Sequence, residues 1–161
     1  MKKYELTEET FTVFGKTLYR IRAVRDFGSV KTGEFGGYIE KEENLSHFGD
    51  AWVYGNAKVS GNAWVYGDAR VSGNAWVYGN AKVFNTRHFF VQGPIGSRDG
   101  YVTFYRTKDD TVEVRCGCFS GSLQEFVNQV EETHGGSRYE KEYKLAAELA
   151  KVCIRLEGES R

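Results

Sequence analysis

Few side chains of this chain could do nucleophilic, acid–base or metal chemistry. They are His47, His88, His134, Cys116, Cys118 and Cys153. No histidine stands at metal-ligand spacing from another, and a C-x-C pair followed by widely separated ligands is a weak zinc signal. We therefore predict a protein that is not an enzyme and that has no metal site and no cofactor. Whether the three thiols and His134 meet in space stays open.

A Gly/Ser turn directly before a predicted helix is the candidate site for an anion. Gly121 and Ser122 precede Leu123, where the helix is expected to begin, and free backbone amides at such a point could hold a phosphate or carboxylate. Arg115 and Arg138 would then be the charge partners of the anion. Capping of the helix by the Ser122 side chain explains the same residues, so both interpretations stay open.

Six consecutive hexads occupy residues 49–84 and are the strongest pattern in the chain. They read GDAWVY, GNAKVS, GNAWVY, GDARVS, GNAWVY and GNAKVF. Each holds Ala-x-Val, which predicts a short strand with both of these residues pointing inward. Each then turns at Gly followed by Asn or Asp, which tolerate left-handed backbone conformations. One corner every six residues predicts triangular coils of 18 residues, stacked at the strand spacing of about 4.8 Å.

The position before each valine alternates between tryptophan and a cation: Trp52, Lys58, Trp64, Arg70, Trp76 and Lys82. Residues 18 apart would stack, so every outward tryptophan should meet a cation: Trp52 over Arg70, Lys58 against Trp76, and Trp64 over Lys82. Such exposed contacts are worth about 0.5–1 kcal/mol each. The pattern fits a ladder in which the tryptophans and cations of the chain contact only one another. Together with Tyr54, Tyr66 and Tyr78, it also fits a surface that binds a partner or a ligand.

The hexads resemble the left-handed β-helix of hexapeptide-repeat proteins, in which an inward aliphatic residue is followed four positions later by a small one, as Val53 is by Ala57. The resemblance implies a short left-handed β-helix, a β-solenoid. The glycine stands two positions after the aliphatic residue here, and one position after it in many enzymes of the family. Many members are trimeric acyltransferases with interface histidines, but these hexads hold no histidine. Acyl transfer, with His88 as base, is therefore the least favoured function.

The flanking segments predict two further units. With 19 glycines, one proline and 15% aromatic residues, the composition favours a mainly β protein. We expect an N-terminal β cap at residues 1–36, built on a hairpin that turns at Gly15 and Lys16. The solenoid should span residues 37–86, with a degenerate first coil that has Ile39 and Leu45 where alanine stands in the hexads.

Residues 87–161 predict a β-β-β-α-α module. Three alternating runs indicate an antiparallel sheet, and two apolar runs of helical period follow it. Ser122 with Glu125 and Ser137 with Glu140 have the spacing of capping boxes. The second helix carries an apolar stripe: Leu145, Leu149, Val152 and Leu156.

Charge and hydropathy exclude several kinds of partner. The chain has 22 Lys+Arg and 22 Asp+Glu, so no net charge draws it to nucleic acid in general. No apolar run approaches the ~20 residues needed to span a bilayer, and an odd number of cysteines fits a reducing compartment. We expect a cytoplasmic protein with no membrane partner. Because a core of alanine and valine is thin, we also expect a homodimer or homotrimer.

Four segments together resemble small proteins of bacteriophages and prophage-bearing gut bacteria. They are residues 18–23 (LYRIRA), 36–41 (GGYIEK), the hexads, and 117–121 (GCFSG). The resemblance implies a phage or mobile-element origin and action in the cytoplasm of the host bacterium. The predicted function is a non-catalytic interaction protein that binds and inhibits a host macromolecule, such as a CRISPR-type antiviral effector. The alternative is a protein that binds or sequesters a small ligand such as a nucleotide.

Overall fold

The computed structural model describes residues 1–157, which form a mainly β structure with two α-helices. The strands are β1 (Tyr4–Val13), β2 (Lys16–Ala23), β3 (Phe35–Ile39), β4 (Trp52–Val53), β5 (Lys58–Val59), β6 (Trp64–Val65), β7 (Arg70–Val71), β8 (Trp76–Val77), β9 (Lys82–Val83), β10 (Phe89–Ile95), β11 (Gly100–Arg106), β12 (Val112–Cys116) and β13 (Phe119–Ser122). The helices are α1 (Leu123–His134) and α2 (Arg138–Cys153). Within the described residues, neither helix has the length and apolar character needed to cross a bilayer.

The N-terminal hairpin turns one residue earlier than predicted. Val13 pairs with Lys16, so the turn residues are Phe14 and Gly15, with φ of 50° and 75°. Two-residue hairpins favour turns with positive φ at both central positions because these match the strand twist, and Phe14 adopts this conformation although it is not glycine. Strand β2 pairs antiparallel with β3, and the sheet order is β1-β2-β3-β5-β8.

The six hexads form six two-residue strands, and each of the first three pairs in parallel with the strand 18 residues further on. Trp52 pairs with Arg70, Lys58 with Trp76, and Trp64 with Lys82. The alanine and valine of every hexad are buried, and the corner glycines have φ between 58° and 72°. The inward direction of the Ala-x-Val pairs and the 18-residue register are therefore both as expected.

The segment before the hexads keeps the pairing but shifts its register. Ile39 pairs with Val59, and Leu45 forms a bridge with Val65. Both residues therefore stand at the valine position and not at the alanine position that we predicted. A 3-10 turn at Glu42–Asn44 separates them, and each lies 20 residues before its partner rather than 18. The buried Asn44 amide holds this turn by donating to the Ala63 carbonyl at 2.9 Å.

The C-terminal sheet has four strands where the sequence predicts three. Strands β10 to β13 are antiparallel neighbours in chain order. The additional strand, β13, pairs with β12 through the turn at Gly117 and Cys118. Gly117 has a φ of 59°, as the first central residue of a tight hairpin turn requires. The prediction was wrong because this turn was assigned to the approach to α1.

Strand β11 contributes to two hydrophobic cores. Phe104 packs with the helices, in a cluster that includes Phe126 and Ala147. The next residue, Tyr105, packs with the alanines and valines of the hexads. Because successive side chains of a strand point to opposite faces, one face of the sheet covers the helices and the other covers the hexads.

Helix α2 buries a different face from the one its sequence suggests. Its buried residues are Ala146, Ala147 and Ala150, whose small side chains let the helix approach the sheet and α1 closely. Three residues of the predicted apolar stripe are exposed: Leu145, Leu149 and Val152. The stripe is therefore on the outer surface of this chain.

Candidate ligand-binding cleft

A cleft of about 650 Å³ lies between the hexads, the end of the C-terminal sheet and the two helices. Its volume is within the range of small-molecule sites. It is lined by Asn74, Trp76, Ser97, Arg98, Gly100, Tyr101, Thr103, Arg115, Cys116, Gly117, Cys118, Phe119, Phe126, Gln129, Val130, Thr133, His134 and Tyr143.

Two hairpin turns form one rim of the cleft. Val102 pairs with Cys116, so the β10–β11 turn and the β12–β13 turn lie at the same end of the sheet. Helix α2 reaches the first of these turns through Tyr143. A Cβ atom at Gly96 would overlap the Tyr143 hydroxyl, so only glycine allows this close approach. The two turns and α2 thus fix the positions of aromatic side chains that line the cleft, among them Tyr101 and Tyr143.

Arg115 is the buried cation of the cleft, with 7% of its surface exposed. Its guanidinium carbon lies 3.9 Å from the Trp76 ring centroid and 4.2 Å from that of Tyr78. Its Nε atom is buried without a hydrogen-bond partner. Burial lowers the pKa of Arg115, against the opposing effect of Tyr78, but an arginine remains charged at neutral pH.

The cleft lining is positive although the whole chain is neutral. It includes Arg98 and Arg115 and no aspartate or glutamate. Within residues 1–157, neither arginine takes part in an ion pair. Much of the remaining wall is aromatic, with Trp76, Tyr101 and Phe119 among its members. Such a site suits an anion with an apolar body.

Two thiols, Cys116 and Cys118, lie at the cleft. Cys116 is hydrogen-bonded to Tyr143, and burial raises the pKa of its thiol despite this bond. It is therefore held as the thiol at neutral pH, and thiols are poor nucleophiles. Cys118 and His134 also line the cleft, whereas Cys153 does not. Residues 1–157 hold no group of three potential metal ligands.

Trp52 is not on the surface, in contrast to the prediction. It is 1% exposed and packs edge-on against Tyr4 and Phe27, with ring centroids 6.2 Å and 5.1 Å away. The N-terminal strand and the loop after β2 cover this side of the hexads. Trp52 is thus a core residue and cannot contact a partner, although its backbone pairs with Arg70 as expected.

The other two tryptophans each meet a cation, one of them as predicted. Lys82 lies over Trp64 at 5.6 Å, and Trp64 stacks on Tyr66 at 3.9 Å. The cation on Trp76 is Arg115 and not Lys58. The Lys58 ammonium lies instead over the Phe11 ring, at 4.5 Å.

Seven residues of the predicted nine-residue surface are divided among three places, whereas Lys58 lies over Phe11 and Arg70 is exposed. Trp52 and the half-buried Tyr54 pack against the hexad core, and Trp76 and Tyr78 contact Arg115. The side chains that form an aromatic–cationic patch on the outside are Trp64, Tyr66 and Lys82.

The four residues of the candidate anion site do not converge. Ser122 and Glu125 form a complete capping box, in which Ser122 Oγ accepts from the Glu125 amide at 3.1 Å and the Ser122 amide donates to Glu125 Oε1 at 2.8 Å. The Glu125 carboxylate thus occupies the N-terminus of α1, which Gly121 precedes. Arg115 lies in the cleft, and the highly exposed Arg138 faces Glu142 on α2. The structure favours the capping interpretation.

The second predicted capping box is absent from α2. The Ser137 side chain accepts no amide at this helix N-terminus and donates instead to the His134 carbonyl at 2.7 Å. The Glu140 carboxylate accepts from the Gly136 amide, one residue before the expected position.

Sequence reasoning missed most of the cleft. Arg98 lies in a turn between strands, and Tyr101 and Tyr143 lie on a strand and a helix that are distant in the chain. One signal was present: Arg115 and Thr103 alternate with apolar neighbours on strands β12 and β11, which marks a second sheet face. The period alone could not show that this face meets Trp76.

Comparison with models of known protein families finds no match to this chain, and comparison with curated proteins finds none either. The function is therefore argued from the geometry of the cleft and of the exposed surfaces.

Proposed function

We propose that the protein binds a small organic anion with a planar apolar body in the cleft, and that it holds this ligand without chemical change. The observation that carries the proposal is the lining itself, which has two arginines without an ion-pair partner and no acidic side chain. Nucleotides combine a planar base with negative charge, and they are the first class of ligand to test.

The buried arginine gives the strongest physical argument. Removing a guanidinium from water costs free energy unless a counter-charge compensates. Here the compensation comes from a hydrogen bond with Tyr78 and from the rings of Trp76, Tyr78 and Phe14, which favour a nearby cation through their π faces, and it includes no carboxylate. A bound anion would supply the missing counter-charge. Because the rings already hold Arg115 in place, little side-chain entropy would be lost on binding.

The neutral polar side chains of the cleft could orient such a ligand. Gln129 and Thr133 lie one helical turn apart on α1, and Gln129 Nε2 donates to Thr133 Oγ1 at 2.9 Å. Asn74 of the hexads and Ser97 of the β10–β11 turn also line the cleft. Orienting groups of this kind, set among aromatic side chains, are typical of small-molecule sites.

Calorimetry with adenosine monophosphate, adenosine and inorganic phosphate separates the contributions of the base and the charge. We expect the nucleotide to bind, and each half alone to bind more weakly. At 100 times its dissociation constant the nucleotide should stabilise the protein by about 2.7 kcal/mol. Equal affinity for phosphate alone would exclude a role for the aromatic wall, and the absence of binding by any nucleotide or cyclic dinucleotide would reject this ligand class.

Arg98→Ala is the variant for this test because Arg98 is exposed and its loss should not affect folding. Loss of one charge-assisted hydrogen bond should weaken nucleotide binding about tenfold. Arg70→Ala, which removes an exposed arginine from the hexads, is the matched control and should bind like the unaltered protein. Equal affinity of both variants would show that Arg98 does not contact the nucleotide.

We also infer that residues 37–86 form a short left-handed β-helix of the hexapeptide-repeat type. The parallel pairings at 18-residue spacing support this inference, as do the corner glycines at positive φ. A crystal structure would determine the hand of the turns, and a right-handed path would contradict the inference.

Interaction with a host macromolecule is a second proposal, together with the phage origin that the sequence implies. The observation that favours it is the patch of Trp64, Tyr66 and Lys82, where Trp64 remains 39% exposed. Capture of a partner from a bacterial lysate by the unaltered protein should fail with Trp64→Ala. Equal capture by both forms would exclude this patch as the binding surface.

A further inference from the structure

We propose that Phe14, at the tip of the N-terminal hairpin, positions Arg115 for binding of the anion by completing an aromatic cage for its guanidinium. Phe14 acts through Arg115, because its own side chain is not among those that line the cleft. The inference rests on the proposed function, and it adds the N-terminal hairpin to a site that otherwise consists of the hexads and the C-terminal module.

Three rings form the cage. The guanidinium carbon of Arg115 lies 3.9 Å from the ring centroid of Trp76, 4.2 Å from that of Tyr78 and 5.4 Å from that of Phe14. All three distances are within the range of about 6 Å in which a ring attracts a cation. The Phe14 ring also stacks on Trp76, with centroids 6.0 Å apart and an angle of 18° between the ring planes. Phe14 therefore contacts both the cation and one of the other two rings.

The N-terminal hairpin reaches the cage by crossing the sheet to which it belongs. Tyr38 pairs with Lys58, and Lys58 pairs with Trp76, so these three residues are neighbours in a row across the sheet. The Phe11 ring packs on Tyr38 at 5.9 Å and receives the Lys58 ammonium at 4.5 Å. Phe14 contacts Trp76, the last residue of the row. Two phenylalanines of the hairpin therefore determine where its tip lies.

The backbone of Phe14 indicates that its ring has a role beyond the turn. Its φ of 50° belongs to a region that bulky side chains rarely adopt, whereas Asn-Gly is a favoured sequence for two-residue hairpin turns. Residues strained in this way cluster at binding sites. The ring is 60% exposed, so burial of apolar surface offsets little of the strain. Its contacts with Trp76 and Arg115 are what phenylalanine supplies and asparagine would not.

Binding of an anion requires a guanidinium that is held in place and still has free donors. An arginine has several N–H donors, and the hydrogen bond with Tyr78 leaves others for a ligand. Arg115 Nε is buried without a hydrogen-bond partner among the described residues, and Arg115 lines the cleft. Because ordering a flexible side chain costs free energy on binding, loss of the Phe14 ring should weaken binding of the anionic group itself.

Phe14→Asn removes the ring and creates an Asn-Gly turn, so the hairpin should form at least as readily as before. Calorimetry should show that inorganic phosphate and adenosine monophosphate both bind about two- to fivefold more weakly, which corresponds to the loss of one cation–π contact. Phe14→Tyr retains a ring and should bind both ligands like the unaltered protein. Phe48→Ala, which removes a phenylalanine that is 81% exposed, is the control and should also bind normally.

Thermal denaturation separates a positioning role from a role in folding. The midpoint of Phe14→Asn should not fall below that of the unaltered protein, and a decrease in both midpoint and affinity would overturn the inference. Equal affinity of Phe14→Asn and the unaltered protein would also overturn it and would leave the proposed function standing. If the unaltered protein binds neither ligand, the proposed function fails and the positioning role fails with it.

Nuclear magnetic resonance of the Arg115 Nε–H group tests the cage without a ligand. Its signal, identified by its loss in Arg115→Lys, should exchange slowly with solvent because the group is buried. Phe14→Asn should accelerate this exchange, and Phe14→Tyr should not. An exchange rate that Phe14→Asn leaves unchanged would show that the ring does not hold Arg115 and would overturn the inference.

Discussion

The hexads and the C-terminal module form their hydrophobic cores in different ways. In the hexads, small alanines and valines repeat at fixed positions, and every one of them is buried. In the C-terminal module, large side chains such as Phe104 and Phe126 pack once each between a sheet and two helices. The cleft lies where the irregular region meets the outer side of the hexads.

Of the variants that test this difference between the two regions, Phe104→Ala should have the largest effect on the unfolding free energy. Removal of a buried phenylalanine from the C-terminal core should cost about 3–5 kcal/mol of unfolding free energy. Because its neighbour Tyr105 belongs to the hexad core, we expect both regions to unfold together.

Two spectroscopic probes can check that expectation in urea. All three tryptophans lie in the hexads and both α-helices lie in the C-terminal module, so fluorescence and circular dichroism report on different regions. Coincident transitions in the unaltered protein and in the variant would support coupling. A variant whose helices unfold first while the tryptophan signal keeps its midpoint would show that the regions are independent.

The buried charge of Lys3, which lies beside the hexads, should have a smaller effect on the unfolding free energy. Lys3 is fully buried and donates to the Ala51 carbonyl at 2.6 Å, and burial lowers its pKa to about 8. Between this value and the ordinary pKa of 10.5, the unfolded chain binds more protons than the folded one. The unfolding free energy should therefore rise with pH from about 8, by up to about 3 kcal/mol.

Lys3→Met should abolish this rise, and Lys2→Met, which removes an exposed lysine, should retain it. Denaturation measured from pH 7.5 to about 9.5 avoids the opposite effect of Tyr4 and Tyr105, whose pKa values burial raises and which lower stability once unfolded tyrosines ionise. The same slope in both variants would contradict a role for Lys3.

The smallest predicted effect concerns the two helix N-termini. Ser122→Ala removes a side-chain cap from α1 and should lower the unfolding free energy by about 1 kcal/mol. Ser137→Ala is the matched control, because the Ser137 side chain does not cap α2. Thermal denaturation of both variants should show the larger decrease for Ser122→Ala, and equal decreases would contradict the assignment of the caps.

The hexad pattern predicted contacts along the repeat but not across its outer faces. A period fixes which residues lie 18 apart, so the Trp64–Lys82 contact and the inward alanines and valines followed from the sequence. The period carries no information about what covers each face of the hexads. It therefore could not predict that Trp52 is buried under Tyr4 or that Arg115 lies on Trp76.

Helix α2 shows the same limit in another form. Its strongest apolar period belongs to Leu145, Leu149 and Val152, yet the side packed on the sheet carries alanines. The apolar period of a sequence identifies an apolar face of a helix, but it does not identify the part of the protein that packs against that face. Close approach to the sheet selects small side chains and leaves the larger ones outside.

The contact between the last hexads and strand β11 also bears on how copies of the chain could grow into fibres. Short parallel strands expose backbone groups at their final edge, which could template the same segment of another molecule. Here the Trp76 amide donates to Thr103 Oγ at 2.9 Å, and the Lys82 carbonyl accepts from Arg106 Nη1 at 3.1 Å. Side chains thus occupy the positions that an incoming strand would need at β8 and at β9, so the sheet that forms the cleft also covers the outer edges of these two strands.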